Sequence, residues 1–275
     1  LSASCPISQP GVIGLTVAMM IEEKAAALLL LHEDDAILSV VIVWDAISAK
    51  VVAETPGTTA LATASHSISA TLGYPDGEVI PFEEHLMMIR RIVATTNLPV
   101  SADLEAGYGD AAEAVRRAIG VGVVGANIED QMKPIAEATR VVESVMAAGD
   151  REGIRFVLNA RTDAFVRAGD RDPGAVLDDA IERGQAYLQA GAPVVFVPGK
   201  LNEAQVHALV DAFGPRRLTM IGVPGSLSRD RLQELGVARI SYGPWSQRVA
   251  LTALQDLTAT VAAGGGLPEG TKTLN

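Results

Sequence analysis

The chain has 275 residues, 48% of them hydrophobic and 20% charged, a composition that indicates a substantial buried core rather than general disorder. The net charge of −11 argues against nucleic acid, whose phosphates bind Lys and Arg patches, and against an anionic membrane surface. Cys5 is the only cysteine, which excludes an intramolecular disulfide and a cysteine-cluster metal site, and which favours a reducing, cytoplasmic location.

The chain begins with a moderately apolar stretch that predicts an N-terminal helical extension over about 1–35. Eight short, β-rich runs follow, and each predicts a strand: Ser39–Val43, Thr58–Ala64, Pro99–Asp103, Val124–Ile128, Arg155–Asn159, Val194–Val197, Leu218–Ile221 and Val237–Ser241. Helical patterns lie between them: Pro81–Ala94, Ala111–Ile119, Pro134–Ala148, Pro173–Ala190, Glu203–Phe213 and Ser228–Leu235. A helical tail is expected over about 244–275.

One half-unit recurs along the chain: a helix end, a glycine at the C′ position and a short strand. It occurs at Ala118–Gly122, Leu188–Ala192 and Leu232–Gly236. Eight strand–helix repeats without a break in composition predict an α/β fold, a single (β/α)8 TIM-type barrel domain over 1–275. An open, doubly wound sheet is the alternative.

The segment Gly120–Gly125 matches the spacing G-x-G-x-x-G of dinucleotide-binding proteins. That motif requires a strand, then the glycines, then a helix. Here the glycines follow a helix and precede a strand, so the pattern favours a helix C-cap over a cofactor site.

Polar and ionisable residues follow five of the predicted strands, where a barrel places its active face. They are Asp45, Ser65, His66, Asp103, Glu105, Glu129, Asp130, Arg161 and Asp163. The period of a strand points Asp103 and Glu105 to the same side. Carboxylates so close repel one another unless a cation or a shared proton intervenes. With one cysteine and four histidines in the chain, oxygen ligands favour Mg²⁺ or Mn²⁺ over zinc.

Three further residues each have two interpretations. The planar guanidinium of Arg161 suits a substrate carboxylate, or it forms a structural ion pair with a neighbouring acid. His66 either binds substrate or is solvated in a loop. Lys133 either neutralises a developing enolate or is solvated.

Five segments together resemble the isocitrate lyase/phosphoenolpyruvate mutase superfamily. They are WDAISA (44–49), LGYPDG (72–77), SADLEAGYG (101–109), NIED (127–130) and NARTD (159–163), in the family's order between about Lys24 and Ala250. The resemblance implies a (β/α)8 barrel, Mg²⁺, and cleavage or formation of C–C or P–C bonds in α-keto or 2-hydroxy acids through enolate-like intermediates. It also implies a homo-oligomer, commonly a tetramer, in which subunits exchange a C-terminal helix.

The resemblance also implies residue roles. Asp103 would bind the metal directly, while Asp45, Glu105 and Glu129 would hold metal-bound waters. Arg161 would bind the substrate carboxylate, and backbone amides near Ser65 and His66 would bind its other end. The expected set is therefore as follows: catalytic, Arg161, Glu129 and Lys133; substrate-binding, Trp44, Asp45, Ser65, His66, Asn159 and Arg161; metal-binding, Asp103, Glu105 and Glu129.

Two departures from the family pattern limit the reaction. The segment Glu129–Ile135 lacks the Lys-Lys-Cys-Gly-His loop of the lyases and the gating segment of the mutases, and Glu105 stands where Asp is usual. The expected function is a Mg²⁺- or Mn²⁺-dependent lyase acting on a small anionic carboxylate, as in oxaloacetate decarboxylation or a retro-aldol cleavage. The alternatives are a keto-acid-binding barrel with little turnover and a phosphonopyruvate hydrolase- or mutase-like activity.

Overall fold

The computed structural model describes residues 10–274, with side chains from residue 21 onward. The strands are β1 Leu38–Val40, β2 Ile42–Val43, β3 Leu61–Thr63, β4 Val100–Asp103, β5 Gly125–Glu129, β6 Val157–Arg161, β7 Val194–Val197, β8 Leu218–Ile221 and β9 Arg239–Ser241. The helices are α1 Pro10–Glu33, α2 Ala46–Ala53, α3 Ser65–Leu72, α4 Phe82–Val93, α5 Ala111–Gly120, α6 Ile135–Arg151, α7 Pro173–Gln189, α8 Glu203–Phe213, α9 Arg229–Glu234 and α10 Trp245–Ala262.

All strand pairs are parallel, in the order β1-β9-β8-β7-β6-β5-β4-β3-β2. The first two strands are one barrel strand interrupted at Val41, because β1 pairs with β9 while β2 pairs with β3. The pairing of Leu38 with Arg239 closes the sheet. The predicted (β/α)8 barrel is thereby confirmed, and the open sheet is excluded.

The strands are buried on both faces, as parallel strands covered by helices must be. Most of these buried side chains are aliphatic, but several buried polar ones lie on the strands. These are Thr63, Ser101, Asn127, Asn159, Thr219, Arg239 and Ser241. The register aligns Asp103 with Asn127, and Asn127 with Asn159, on three adjacent strands. A polar layer therefore crosses the barrel at the level where the strands end.

Local sequence explains where most helices begin and end. Asp45 caps α2 through a capping box with Ser48, and Asp110 caps α5. Gly122 follows α5 with φ 98°, in the left-handed region that favours glycine. The G-x-G-x-x-G segment is thus a helix end, as its order predicts. The helices α2 and α3 were not among the sequence-based helices, because each is short and follows its strand directly.

The N-terminal helix α1 packs against the barrel near β6. A Cβ atom at Gly125 would lie 2.8 Å from Leu28 of α1 and 2.7 Å from the Val157 carbonyl oxygen, so only glycine permits this approach. The predicted extension over about 1–35 agrees with α1, and residues 1–9 lie outside the described residues. Within residues 10–274, no helix combines the length and apolar character needed to cross a bilayer.

Candidate active site

A cavity of about 230 Å³ opens at the carboxyl ends of the strands. The residues that line it come from nearly every strand end: Ile42, Thr63, Ala64, Ser65, His66, Asp76, Asp103, Asn127, Arg161, Val166, Phe196, Pro198, Ile221, Ser241, Gly243 and Pro244. This is the position in which barrel enzymes bind their substrates. Of the residues expected from the sequence, the cavity brings together Ser65, His66, Asp103 and Arg161.

Asp103 is held in place by the neighbouring strand. Its Oδ2 accepts hydrogen bonds from the Ser65 amide at 3.2 Å and the Ser65 hydroxyl at 3.1 Å. Its own amide donates to the Thr63 hydroxyl at 3.0 Å. Because these contacts leave Oδ1 with only a 3.4 Å contact to the Glu105 amide, Asp103 has acceptor capacity left for a cation.

Glu105 lies directly beside Asp103 in a strained backbone conformation, with φ 53°. Its Oε2 accepts from the Glu78 amide at 2.7 Å, whereas its Oε1 is buried without a partner among the described residues. Burial, followed by the charges of Asp103 and Asp76, raises the pKa of Glu105 to about 8. Glu105 is therefore a carboxyl group that lacks a compensating positive charge.

Glu129 and Arg161 end the adjacent strands β5 and β6 and are paired in register. Arg161 Nη1 lies 2.8 Å from Glu129 Oε2, and Arg161 Nε donates to Asp163 Oδ1 at 2.8 Å. Burial raises the pKa of Glu129 to about 7, although the Arg161 charge opposes this. Burial lowers the pKa of Arg161, but the charges of Glu129, Asp163 and Asp103 outweigh it and leave this pKa raised. Arg161 therefore forms structural ion pairs and also lines the cavity, while its binding of a substrate carboxylate stays a prediction.

The donor set fits a hydrated divalent cation. Asp103, Glu105 and Glu129 offer oxygen atoms, the ligands that Mg²⁺ and Mn²⁺ prefer, and the unpartnered Glu105 Oε1 lacks a positive neighbour. In the described part of the chain, no three Asp, Glu, His or Cys side chains converge closely enough to hold a metal by themselves. Mg²⁺ commonly keeps several water ligands and takes one or two carboxylates, which agrees with this spacing.

The amino end of α3 borders the same cavity. No side chain caps this helix, and its first residue, Ser65, donates its amide to Asp103. His66 Nδ1 lies 3.4 Å from Asp76 Oδ2, and both side chains are about half exposed. His66 is thus at the mouth of the cavity with an acidic neighbour, which the sequence did not indicate.

Asp130 organises the segment that follows β5. Its Oδ2 accepts from the Tyr187 hydroxyl at 2.7 Å and lies 3.1 Å from Arg183 Nη1, while its Oδ1 accepts from the Asp163 amide. Lys133, predicted to be catalytic, borders a recess of about 20 Å³ behind the strands, and its Nζ lies 3.9 Å from Glu137. The structure does not place Lys133 among the residues that line the main cavity.

Five other expected residues also lie outside the cavity lining: Trp44, Asp45, Glu105, Glu129 and Asn159. Glu129 borders the same recess as Lys133, and Glu105 is buried next to Asp103 in the chain. Asp45 accepts from the Ser48 amide at 2.7 Å as the cap of α2, and Trp44 packs against the core. Asn159 is buried beneath the cavity and bonds to Asn127. Conversely, the cavity includes Asn127, Asp76, Phe196 and Ser241, which the sequence analysis did not assign to the site. Asn127 belongs to the NIED segment (127–130) and lies two residues before Glu129 on the same strand. Residues at this spacing point to the same side of a strand, and this spacing could have indicated Asn127 as a site residue.

Comparison with known proteins gives consistent matches. The phosphoenolpyruvate phosphomutase family matches residues 28–262. The 2-methylisocitrate lyase of Escherichia coli is 31% identical over 63% of this chain, which spans only 62% of that enzyme. The 2,3-dimethylmalate lyase of Eubacterium barkeri is 28% identical, over 78% of this chain and 77% of that one. The crystal structure of a phosphonomutase candidate from Burkholderia cenocepacia J2315 has a TM-score of 0.81 at 38% identity, and covers 86% of this chain and 99% of that one.

Proposed function

The chain belongs to the phosphoenolpyruvate mutase/isocitrate lyase superfamily, and we propose that it is a divalent-metal-dependent lyase that cleaves a C–C bond in a small α-keto or 2-hydroxy acid. One observation carries the proposal: Asp103 and Arg161 line the same cavity at the strand ends, Glu129 pairs with Arg161, and Glu105 follows directly after the strand of Asp103. Acids without full compensation suit a cation, and the guanidinium suits a carboxylate.

The proposal gives these residues two tasks, holding a cation and orienting the substrate. Asp103, Glu105 and Glu129 would hold Mg²⁺ or Mn²⁺, directly or through water. The bound cation would act as a Lewis acid that stabilises developing negative charge on the substrate. Arg161 would orient the substrate carboxylate, because its ion pairs with Glu129 and Asp163 hold the guanidinium in place.

The apolar side chains in the cavity support a small substrate. Phe196, Ile221 and Val166 line the wall with Pro198, and together with the barrel they limit the entry of water. A two- to five-carbon keto or hydroxy acid is of a size that suits about 230 Å³. Oxaloacetate decarboxylation and retro-aldol cleavage both fit this substrate class.

Two alternatives remain, and the first rests on the segment between β5 and α6. This connection, residues 130–134, is short and contains no cysteine, so the acid–base group of the lyases is absent from it. A keto-acid-binding barrel with little turnover is the first alternative. The family match and the likeness to a phosphonomutase candidate favour the second, cleavage or rearrangement of a P–C bond as in phosphonopyruvate.

A substrate panel separates these functions. Release of pyruvate or CO₂ from oxaloacetate supports the C–C lyase. Release of phosphate from phosphonopyruvate supports P–C cleavage, and formation of phosphoenolpyruvate from it supports P–C rearrangement. Binding of oxalate without turnover of either acid would support the binding protein. No turnover and no binding of any panel member in the presence of Mg²⁺ or Mn²⁺ would refute the proposal.

The cation site has its own test. Asp103→Ala should abolish the binding of Mg²⁺ or Mn²⁺ in calorimetry while the circular dichroism spectrum stays that of the wild type, because a ligand is lost without a change in the core. Asp178→Ala, at an exposed position on α7, is the matched control and should bind the metal normally. Unchanged metal affinity of Asp103→Ala would refute the role of this residue.

A further inference from the structure

Asn127 lines the cavity and pairs in register with Asp103. Its side chain is part of a hydrogen-bonded series that joins residues of β5, β6 and β8. We propose that Asn127 presents its amide N–H groups to the cavity as a specificity determinant for a ligand oxygen, and that Asn159 and Thr219 hold it in this orientation. The ligand would be a carboxylate or keto oxygen next to the cation site, so the proposal rests on the proposed function and specifies its substrate contacts.

The series runs from the barrel interior towards the cavity. Thr219 Oγ1 lies 2.6 Å from Asn159 Oδ1, and Asn159 Nδ2 lies 2.7 Å from Asn127 Oδ1. Asn159 and Thr219 are each 1% exposed, whereas Asn127 is 8% exposed and borders the cavity. No described residue accepts a hydrogen bond from Asn127 Nδ2, so the donors of this amide face the cavity.

The direction of the series follows from the Thr219 contact. A separation of 2.6 Å lies in the O–H···O range of about 2.5–3.0 Å and below the usual N–H···O range of about 2.7–3.2 Å. The Thr219 hydroxyl therefore donates to the Asn159 carbonyl oxygen, which leaves the Asn159 amide nitrogen to donate to Asn127. In the reversed series, the Thr219 hydroxyl would instead have to donate to the Val195 carbonyl oxygen at 3.3 Å.

The orientation has a chemical consequence. Asp103 presents acceptor oxygens to this end of the cavity, so an anionic ligand needs donors beside it. Arg161 supplies charged donors, and Asn127 supplies neutral ones without adding a charge that would repel a cation. If the Asn127 amide were turned round, its carbonyl oxygen would instead repel the ligand oxygen.

Asn159→Asp tests the orientation without changing a cavity residue. A carboxylate at position 159 accepts only, so Asn127 must rotate to donate to it and then present its oxygen to the cavity. Oxalate affinity in the presence of Mg²⁺, measured by calorimetry, should fall roughly tenfold to a hundredfold, as expected for a lost charge-assisted hydrogen bond. In an Asn127→Leu background, Asn159→Asp should reduce oxalate affinity much less, because only the through-space effect of the new charge remains.

A second pair of variants, both at Thr219, tests the orientation without introducing a charge. Thr219→Val removes the donor that orients Asn159 and should weaken oxalate binding, whereas Thr219→Ser keeps the hydroxyl and should bind as the wild type does. Equal affinities for the valine and serine variants, or an Asn159→Asp effect that persists undiminished without Asn127, would overturn the proposal.

A measurement on the apo protein separates this proposal from the proposed function. In nitrogen-15 NMR spectra, the Asn127 side-chain amide protons, identified by their loss in Asn127→Leu, should exchange rapidly with water, and those of Asn159 slowly. Protected Asn127 protons would overturn the orientation. If the wild type failed to bind oxalate, the proposed ligand class would fail, while the exchange pattern would still decide how Asn127 is held.

Discussion

The guanidinium of Arg161 bonds two carboxylates in the absence of any ligand. Its Nη1 pairs with Glu129 and its Nε with Asp163, and its side chain remains 21% exposed. Asp163 is itself almost fully buried, so its ion pair with Arg161 offsets part of the cost of burying a polar group. Arg161 therefore serves the stability of the apo protein as well as the proposed binding of a substrate carboxylate.

Arg161→Lys keeps the charge but loses the planar fork, so it cannot pair with both acids. We expect the free energy of unfolding, measured with urea, to fall by about 1–3 kcal/mol, and oxalate affinity to fall roughly tenfold to a hundredfold. Arg167→Lys is the matched control, because Arg167 is half exposed and lies 3.5 Å from the same Asp163. Unchanged oxalate affinity in Arg161→Lys would remove Arg161 from the ligand site.

Glu105 makes the stability of the apo protein depend on pH. The carboxyl group has an ordinary pKa of 4.5 and a folded-state pKa of about 8. Between these values the folded state holds a proton that the unfolded state has released, so raising the pH favours unfolding. This contribution is fully present below pH 4.5 and is lost as the pH rises through about 8.

We therefore expect the unfolding free energy of the metal-free protein to decrease from pH 6.5 to 8.5, and Glu105→Gln to reduce that decrease, because an amide does not titrate. Glu182→Gln, at an exposed position on α7, should leave the slope unchanged. Mg²⁺ should oppose the loss at high pH, since it binds the deprotonated carboxylates. An identical pH slope in Glu105→Gln and the wild type would contradict the assignment.

The segment that joins β5 to α6 shows how an element limits the reaction. Asp130 anchors it to Arg183 and Tyr187 of α7, and the Lys133 carbonyl oxygen accepts from Arg183 at 2.8 Å. A segment held in this way does not extend over the cavity as a long loop would. The catalytic role of Lys133 stays a prediction, and its ammonium group lies 3.9 Å from Glu137 Oε1.

The segment that joins β5 to α6 predicts a negative result in enzyme assays. Isocitrate and 2-methylisocitrate should not be cleaved at useful rates, because the segment supplies no cysteine as the acid–base group. Direct assays for glyoxylate and pyruvate release, with an authentic lyase as positive control, check this. Turnover near about 10 s⁻¹, the typical enzyme median, would contradict it.

At the scale of the whole molecule, α10 exposes an apolar surface. Val249 is 69% exposed, Leu251 54% and Leu254 57%, and within this helix only Gln247 is buried. Apolar side chains exposed together on one helix are typical of a surface that binds another protein. We therefore propose that the protein is a homo-oligomer in which the C-terminal helix packs against a second copy, as the family resemblance implies.

Combining Leu251→Glu with Leu254→Glu should dissociate such an oligomer, because charges would enter an apolar interface. Light scattering coupled to size-exclusion chromatography should report a decrease to the monomer mass of 28.7 kDa. Leu267→Glu, an exposed position beyond α10, is the control and should leave the mass unchanged. A wild-type protein that is itself monomeric at high concentration would refute the proposal.

The sequence by itself determined the repeating architecture and the outline of the site. Short apolar runs alternate with helical patterns along the chain, and glycines such as Gly122 mark the helix ends. This information is local to the sequence, and it predicted the barrel. The acids Asp103 and Glu129 and the Arg161 cation follow strands, so their convergence followed from the fold class alone. Strand ends were less accurate: β6 extends to Arg161, two residues beyond the expected end, because pairing with β7 continues there.

Only the tertiary structure decided which polar residues meet. The register of β4, β5 and β6 joins Asp103, Asn127 and Asn159 in one layer, and no local pattern specifies a register between strands. The same holds for the closure of β1 against β9 and for the contact between His66 and Asp76. Contacts between residues distant in the chain depend on how every element packs, whereas periodicity and capping depend on neighbours in the sequence.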